Sequence, residues 1–162
     1  MKKFKKLIAV VLTVILSLSV MSVVAFASTT DSLKRTDDGT WLYMENGEHN
    51  ADYTGLVKYY DTWYYVENGV LNWNYTGPTE YYGTTYYVIK SILEWDYSSL
   101  VCVNDVWHYV ENGVYSNDYT GLTKYYGTWY YVEDGVLNWD YTGLTKYYDT
   151  WYYVEDSVLN WN

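Results

Sequence analysis

The chain has 162 residues, with 20 acidic and 10 basic side chains, 9 Trp and 24 Tyr against 2 Phe, and one cysteine. A formal charge of −10, with the six basic residues beyond Lys6 not gathered into a patch, argues against nucleic acid as a partner, because such a surface repels phosphate-rich polymers. Cys102 alone cannot build a disulfide framework, so stability has to come from packing, and the abundant resource for packing is aromatic.

The chain opens with Lys2, Lys3, Lys5 and Lys6, followed by an apolar run from Leu7 to Val24 broken by Thr13, Ser17, Ser19 and Ser22. Ala25-Phe26-Ala27 then supplies the small-x-small pattern that a signal peptidase pocket admits. Residues 1–27 are therefore predicted to be a signal peptide, with an uncleaved anchor as the alternative, since the run lies near the lower limit for a span. No second apolar stretch follows, so no membrane contact is expected once the leader is removed. The mature chain would carry six basic against twenty acidic side chains, a charge of −14. A neutral sugar or a cationic group is compatible with that surface. Residues 28–39 are polar and unpatterned and read as a tether.

From residue 40 to 162 the sequence repeats with a period of 22. Tyr53, Tyr75, Tyr97, Tyr119 and Tyr141 mark the period, each followed by Thr-Gly or, in the middle copy, by Ser98-Ser99. A first tryptophan row runs Trp41, Trp63, Trp107, Trp129 and Trp151, with Thr85 as the exception. A second lies ten residues further on, at Trp73, Trp95, Trp139 and Trp161, with Ala51 and Asn117 as exceptions. Six copies in one frame identify a repeat protein.

Within a copy, Trp63-Tyr64-Tyr65-Val66 is aromatic and β-branched, which favours a strand. Asn68-Gly69 after it suits a tight turn, and Tyr60-Asp61-Thr62 before it suits another. Each unit is thus predicted to be one short hairpin with a return segment through Tyr-Thr-Gly. One hairpin cannot bury its own aromatic face, so the fold expected is all-β, a solenoid of stacked short hairpins. The slot after the hairpin tyrosines alternates Gly39, Asp61, Gly83, Asp105, Gly127, Asp149, which suggests two alternating environments along the stack. Residues 85–106 drift furthest from the consensus and read as scaffold rather than as a dedicated site. The last copy stops at Trp161-Asn162, compatible with a short stand-alone binder or with a piece of a longer protein.

Catalytic chemistry is not visible. His108 stands in a tyrosine slot, His49 in a leucine slot and Cys102 in a lysine slot, so a Cys102–His108 nucleophile pair lacks an orienting third group. Glu45, Glu67, Glu111, Glu133 and Glu155 recur singly, as do Asp52, Asp96, Asp118 and Asp140. They are too widely spaced for a calcium loop and read as a solubilising rim, so neither a metal nor a cofactor is expected.

The run Thr142-Gly143-Leu144-x-Lys146-x-x-x-Thr150-Trp151-Tyr152-Tyr153-Val154 resembles the cell-wall-binding, choline-binding-type repeats of Gram-positive bacteria. It is also similar to the related repeats of clostridial toxins and glucan-binding proteins. The resemblance spans about residues 40–162 and implies a β-solenoid whose aromatic cages hold a quaternary ammonium between successive hairpins. It places Trp63, Trp107, Trp129 and Trp151 on one cage wall. The family's Gly-Trp tryptophan has no counterpart here, its slot holding Leu56, Pro78, Leu100, Leu122 and Leu144; the second tryptophan row is a possible replacement. The expected function is therefore a secreted, non-catalytic protein of the cell surface that binds a wall polymer, through teichoic-acid choline or glycan. Its expected ligand-facing residues are Trp63, Tyr65, Trp73, Trp107, Trp129, Tyr131, Trp139, Trp151, Tyr153 and Trp161. A structural or adhesive protein whose repeats mediate self-assembly or host contact is the alternative.

Overall fold

The computed structural model describes residues 32–161; the predicted signal peptide and the first residues of the predicted tether lie outside them. The described residues form eighteen strands, three to a unit. Unit one holds β1 (Ser32–Arg35), β2 (Trp41–Glu45) and β3 (Glu48–His49). Unit two holds β4 (Gly55–Tyr59), β5 (Thr62–Glu67) and β6 (Val70–Leu71), and unit three β7 (Gly77–Tyr81), β8 (Thr84–Ile89) and β9 (Ile92–Leu93). Unit four holds β10 (Ser99–Val103), β11 (Val106–Glu111) and β12 (Val114–Tyr115). Unit five holds β13 (Gly121–Tyr125), β14 (Thr128–Glu133) and β15 (Val136–Leu137), and unit six β16 (Gly143–Tyr147), β17 (Thr150–Glu155) and β18 (Val158–Leu159). The first hairpin begins inside the stretch read as a tether: Ser32–Arg35 pairs antiparallel with Trp41–Met44. Alternation of Leu33 inward and Lys34 outward is too short a pattern to stand out in the sequence.

Unit two shows how the sequence makes the element. β4 and β5 pair in register from Gly55↔Val66 to Tyr59↔Thr62 around the two-residue turn Tyr60-Asp61. Asn68 and Gly69, both at positive φ, reverse the chain into β6, which returns along β5 through Val66↔Leu71. β6 also pairs with the preceding unit through Leu42↔Val70, and every later unit repeats this link, as in Tyr64↔Ile92.

The slot of Gly69 is the pivot of the stack. Its N–H donates to the Tyr53 carbonyl at 2.8 Å, and its carbonyl accepts the N–H of Tyr43 in the previous unit at 2.9 Å. Ser91, Gly113, Gly135 and Ser157 make the same two bonds in their own copies. All five residues have φ between 67° and 75°, the left-handed region where a side chain is strained. A Cβ on Gly135 would meet the Ser116 carbonyl at 2.3 Å. Ser91 and Ser157 fill the slot by donating their hydroxyls to the carbonyls of Tyr65 and Tyr131, at 3.1 and 3.3 Å. The Thr of Tyr-Thr-Gly caps the same turn: Thr54 Oγ1 accepts the Asn68 N–H at 3.0 Å, and in the drifted copy Ser98 Oγ accepts that of Asn112 at 2.9 Å. Ser98 thus preserves the one chemical group the turn requires.

The core lies between units. Leu33 and Tyr43 of unit one meet Val57, Val66 and Leu71 of unit two, and Leu56 and Tyr65 of unit two meet Val88 and Leu93 of unit three. Leu100 meets Val132 and Leu137, and Leu122 and Tyr131 meet Val154 and Leu159. Each fully buried leucine contributes about 2 kcal/mol by area removed from water. The seam between units three and four is built differently. Pro78 takes the slot of Leu56, and Tyr115 takes that of Leu71 and Leu93. Among the described residues, the Tyr115 hydroxyl is the one buried side-chain polar atom without a hydrogen-bond partner.

Two stability predictions follow from this packing. Gly135→Val is expected to cost roughly 2 kcal/mol or more in urea unfolding, from backbone strain and overpacking, and Gly135→Ser distinctly less. Tyr115→Phe removes an unsatisfied buried hydroxyl and is expected to gain about 1 kcal/mol; Tyr53→Phe, which deletes a 2.6 Å bond to the Leu56 carbonyl, should lose about as much.

Candidate functional site

Four junctions between successive units carry the same three rings. The first-row tryptophan of one unit packs edge-on against the last tyrosine of the next unit's first strand. Ring centroids are 5.4 Å apart for Trp41–Tyr59, 4.9 Å for Trp63–Tyr81, 5.0 Å for Trp107–Tyr125 and 4.8 Å for Trp129–Tyr147. Each of these tyrosines packs in turn on the hairpin-turn tyrosine beside it, at 4.6 Å for Tyr59–Tyr60 and 4.5 Å for the other three pairs.

The turn tyrosines run against what stability would select. Tyr60, Tyr82, Tyr126 and Tyr148 have φ of 52°, 48°, 45° and 52° and are 83 %, 92 %, 91 % and 83 % exposed. A bulky side chain in the left-handed region is strained, and Asn or Gly is the residue such a turn favours. Asn104 stands there at the one junction that has also lost its tryptophan to Thr85 and its strand tyrosine to Val103. Three rings are kept together or lost together. They form a unit, and strain retained at a bare surface points to a binding role.

Tyrosines of two of these junctions line grooves. Between units one and three, Glu45, Tyr53, Trp63, Glu80, Tyr81 and Tyr82 line a groove of about 520 Å³. The groove recurs 66 residues on, at about 370 Å³, with Tyr109, Glu111, Tyr119, Lys146, Tyr147 and Tyr148. Its floor is a tyrosine pair splayed by 35° in Tyr43–Tyr53 and 32° in Tyr109–Tyr119, whereas Tyr65–Tyr75 and Tyr131–Tyr141 stack flat at 3.6 Å and 16°. Burial, with Tyr43, Tyr81, Tyr82 and Glu45 nearby, pushes the Tyr53 hydroxyl up to about 12; burial, with Tyr109, Tyr147 and Glu111, does the same for Tyr119. Both phenols stay neutral donors, bonded to the carbonyls of Leu56 and Leu122 at 2.6 and 2.7 Å. Lys58 lines the first groove with Glu45 and Glu80, and Lys146 the second with Glu111, so charge there is nearly balanced and the available ring faces are what suits a cation without hydrogen-bonding hydrogens.

The sequence-predicted residues divide. Trp63, Trp107 and Trp129 belong to the three-ring junctions. Trp151 and Tyr153 are exposed in the last unit, and Tyr153 departs there from its buried equivalents. Tyr65 and Tyr131, expected to face a ligand, are 7 % exposed and belong to the core, because each lies flat under the next Tyr-Thr-Gly tyrosine. Trp73, Trp139 and Trp161 are exposed, as is Trp95, but they do not replace the missing cage wall. They pack on Tyr64, Tyr130, Tyr152 and Tyr86, at 5.7–6.1 Å, away from the first row. The vacated Gly-Trp slot is filled by buried leucine at Leu56, Leu100 and Leu122. Tyr81, Tyr82 and their equivalents were missed in the sequence; their signal was the Lys-Tyr-Tyr of the consensus, where a turn normally carries Asn or Gly.

Other polar groups do not converge. Cys102 faces Trp107 across the hairpin and His108 faces Val101, so the two lie on opposite faces. Burial lowers the His108 imidazole, which packs on Tyr115 at 5.4 Å. His49 Nε2 lies 3.1 Å from the Gly69 carbonyl.

Stacked hairpins with aromatic junctions define an all-β repeat solenoid of the aromatic class. The choline-binding repeat model matches residues 52–72, 96–114, 118–138 and 140–160, together half of the chain, and the chain belongs to the choline-binding repeat family. The matched segments correspond to units two, four, five and six. No curated protein matches. Among solved structures, CbpJ from Streptococcus pneumoniae TIGR4 is 23 % identical over 80 % of this chain and 42 % of its own, with a TM-score of 0.37. Choline binding protein F from Streptococcus pneumoniae is 21 % identical over 80 % and 42 %, at 0.36. The multimodular pneumococcal cell wall endolysin from phage Cp-1, solved with choline, is 23 % identical over 82 % and 37 %, at 0.36. The chain thus spans about two fifths of the length of these proteins.

The raised tyrosines have a thermodynamic consequence. Tyr53, Tyr115 and Tyr119 sit at about 12 in the folded chain against 10 when unfolded. Above pH 10 the unfolded chain holds fewer protons than the folded one, so stability falls with rising pH. Denaturant midpoints should be level from pH 8 to 10 and drop steadily between pH 10 and 12.

Proposed function

We propose that the chain is a secreted, non-catalytic binder of a cell-wall polymer, and that the three-ring junctions are its contact points. The carrying observation is the fourfold retention of a strained, almost fully exposed tyrosine beside a tryptophan and a second tyrosine. Family membership points to the wall as the place of action. The ring faces of the grooves favour a cationic group, such as the quaternary ammonium of choline, over an anionic one. Tyr81 and Tyr82 supply the ring surface that the absent Gly-Trp tryptophan would have given. Several weak junctions along one rigid stack would hold a repetitive polymer by avidity, since each engaged site raises the local concentration at the next.

Retention of the mature chain on purified Gram-positive walls, with release by free choline, tests the reading. No retention on any wall fraction would sink it. Tyr82→Asn with Tyr148→Asn is expected to abolish most of that retention while leaving stability unchanged or raising it by about 1 kcal/mol, because asparagine suits the left-handed turn. Loss of both retention and folding would contradict a purely functional role for these rings.

A further inference from the structure

The second tryptophan row is left without a role by the junctions, and its surroundings recur from copy to copy. Trp73 and Trp139 expose half of their surface, 50 % and 52 %, and each is braced by a tyrosine whose ring plane is turned by 80° and 79°. A shallow depression lies beside each, about 320 Å³ at Trp73 and 370 Å³ at Trp139, lined by equivalent residues 66 apart. At the rim a carboxylate and an amide are locked together: Asn72 donates to Glu67 at 2.8 Å, and Asn138 to Glu133 at 2.7 Å. The amide oxygen is fixed by the backbone N–H of residue 74 or 140, at 3.0 Å in both. Trp161 has the same pair, Asn160 to Glu155 at 3.3 Å, and Trp95 lacks it, with Ile89 and Glu94 in those slots; unit one has it beside Ala51, Asn50 to Glu45 at 2.8 Å, so the pair belongs to the hairpin and becomes a rim only where a tryptophan stands next to it.

We infer that Trp73, Trp139 and Trp161 form a second binding surface, separate from the junctions, that stacks the pyranose rings of a neutral polysaccharide. One flat indole face, with no opposing ring to close a cage, fits a disc with an apolar face better than a compact cation. The carboxylate retains lone pairs beyond the one its amide uses, so it accepts hydroxyls from the sugar edge. Its charge disfavours sulfated, uronic or phosphate-bearing chains. The two kinds of site are out of phase. Units one and four, which start the grooves, carry Ala51 and Asn117 in place of the second tryptophan; units two and five carry the depressions. The inference stands independently of the cation reading.

The test is 15N NMR of the indole N–H signals of the mature chain, titrated separately with tetra-N-acetylchitotetraose, cellotetraose and choline chloride. A tetrasaccharide is expected to shift Trp73, Trp139 and Trp161 and to leave Trp95 less affected; choline should shift Trp63 and Trp129 instead. Trp73→Ala with Trp139→Ala should weaken the tetrasaccharide at least tenfold and leave choline within twofold, and the paired Phe variants should recover part of the loss. Unmoved second-row signals with both sugars would overturn the inference, as would competition between sugar and choline for the same signals. A chain that binds sugar but not choline would remove the cation reading alone; one that binds choline but not sugar would remove this one alone.

Discussion

Everything in this stack hangs on two backbone hydrogen bonds made by one residue in each unit after the first. The pivot at Gly69 and its four equivalents ties its own unit's entry segment to its N–H and the preceding unit to its carbonyl. Because the bonds need a left-handed backbone in a space with no room for a Cβ at Gly135, the pivot tolerates very few side chains. Once it is set, the short third strand falls beside two hairpins at once, and the valines and leucines of consecutive units close over each other. Packing here is a consequence of register. The hydrophobic effect supplies the energy, and the pivot decides where it is spent.

That arrangement frees the hairpin tips. The strand pairing and the pivot hold each tip from behind, so its turn residues contribute nothing to the core and can carry strained, exposed rings. Function and stability are thereby assigned to different ends of the same hairpin. The drifted copy illustrates the division: it gives up Trp, Tyr and Tyr at the tip in favour of Thr85, Val103 and Asn104, yet it keeps a hydroxyl at Ser98 and a pivot at Gly113.

Much of this was legible in the sequence, and the reasons are physical. The 22-residue period, the strands at Trp-Tyr-Tyr-Val and the turn at Asn-Gly are local signals, set by propensity and backbone geometry. Exposure is not local. Tyr64 and Tyr65 are neighbours of identical chemistry, and which of them is buried depends on the next unit, so local sequence does not reveal that Tyr65 and Tyr131 face the core. The strand at Ser32–Arg35 escaped notice because its partner, not its composition, makes it a strand. The roles of Tyr60 and Tyr82 were hidden for the opposite reason: a turn position draws attention for its backbone, and a ring there reads as filler until its bareness is seen.

The seam between units three and four has a mechanical meaning. In a quasi-one-dimensional stack each unit is held by its neighbours alone, and resistance to pulling is set by the poorest interface. Here that interface replaces two leucines by Pro78 and by a tyrosine with an unpaired hydroxyl. Under tension the molecule would part there first, into halves of three units. Each half would retain one aromatic groove and at least one complete indole platform, so a strained tether would lengthen before it let go.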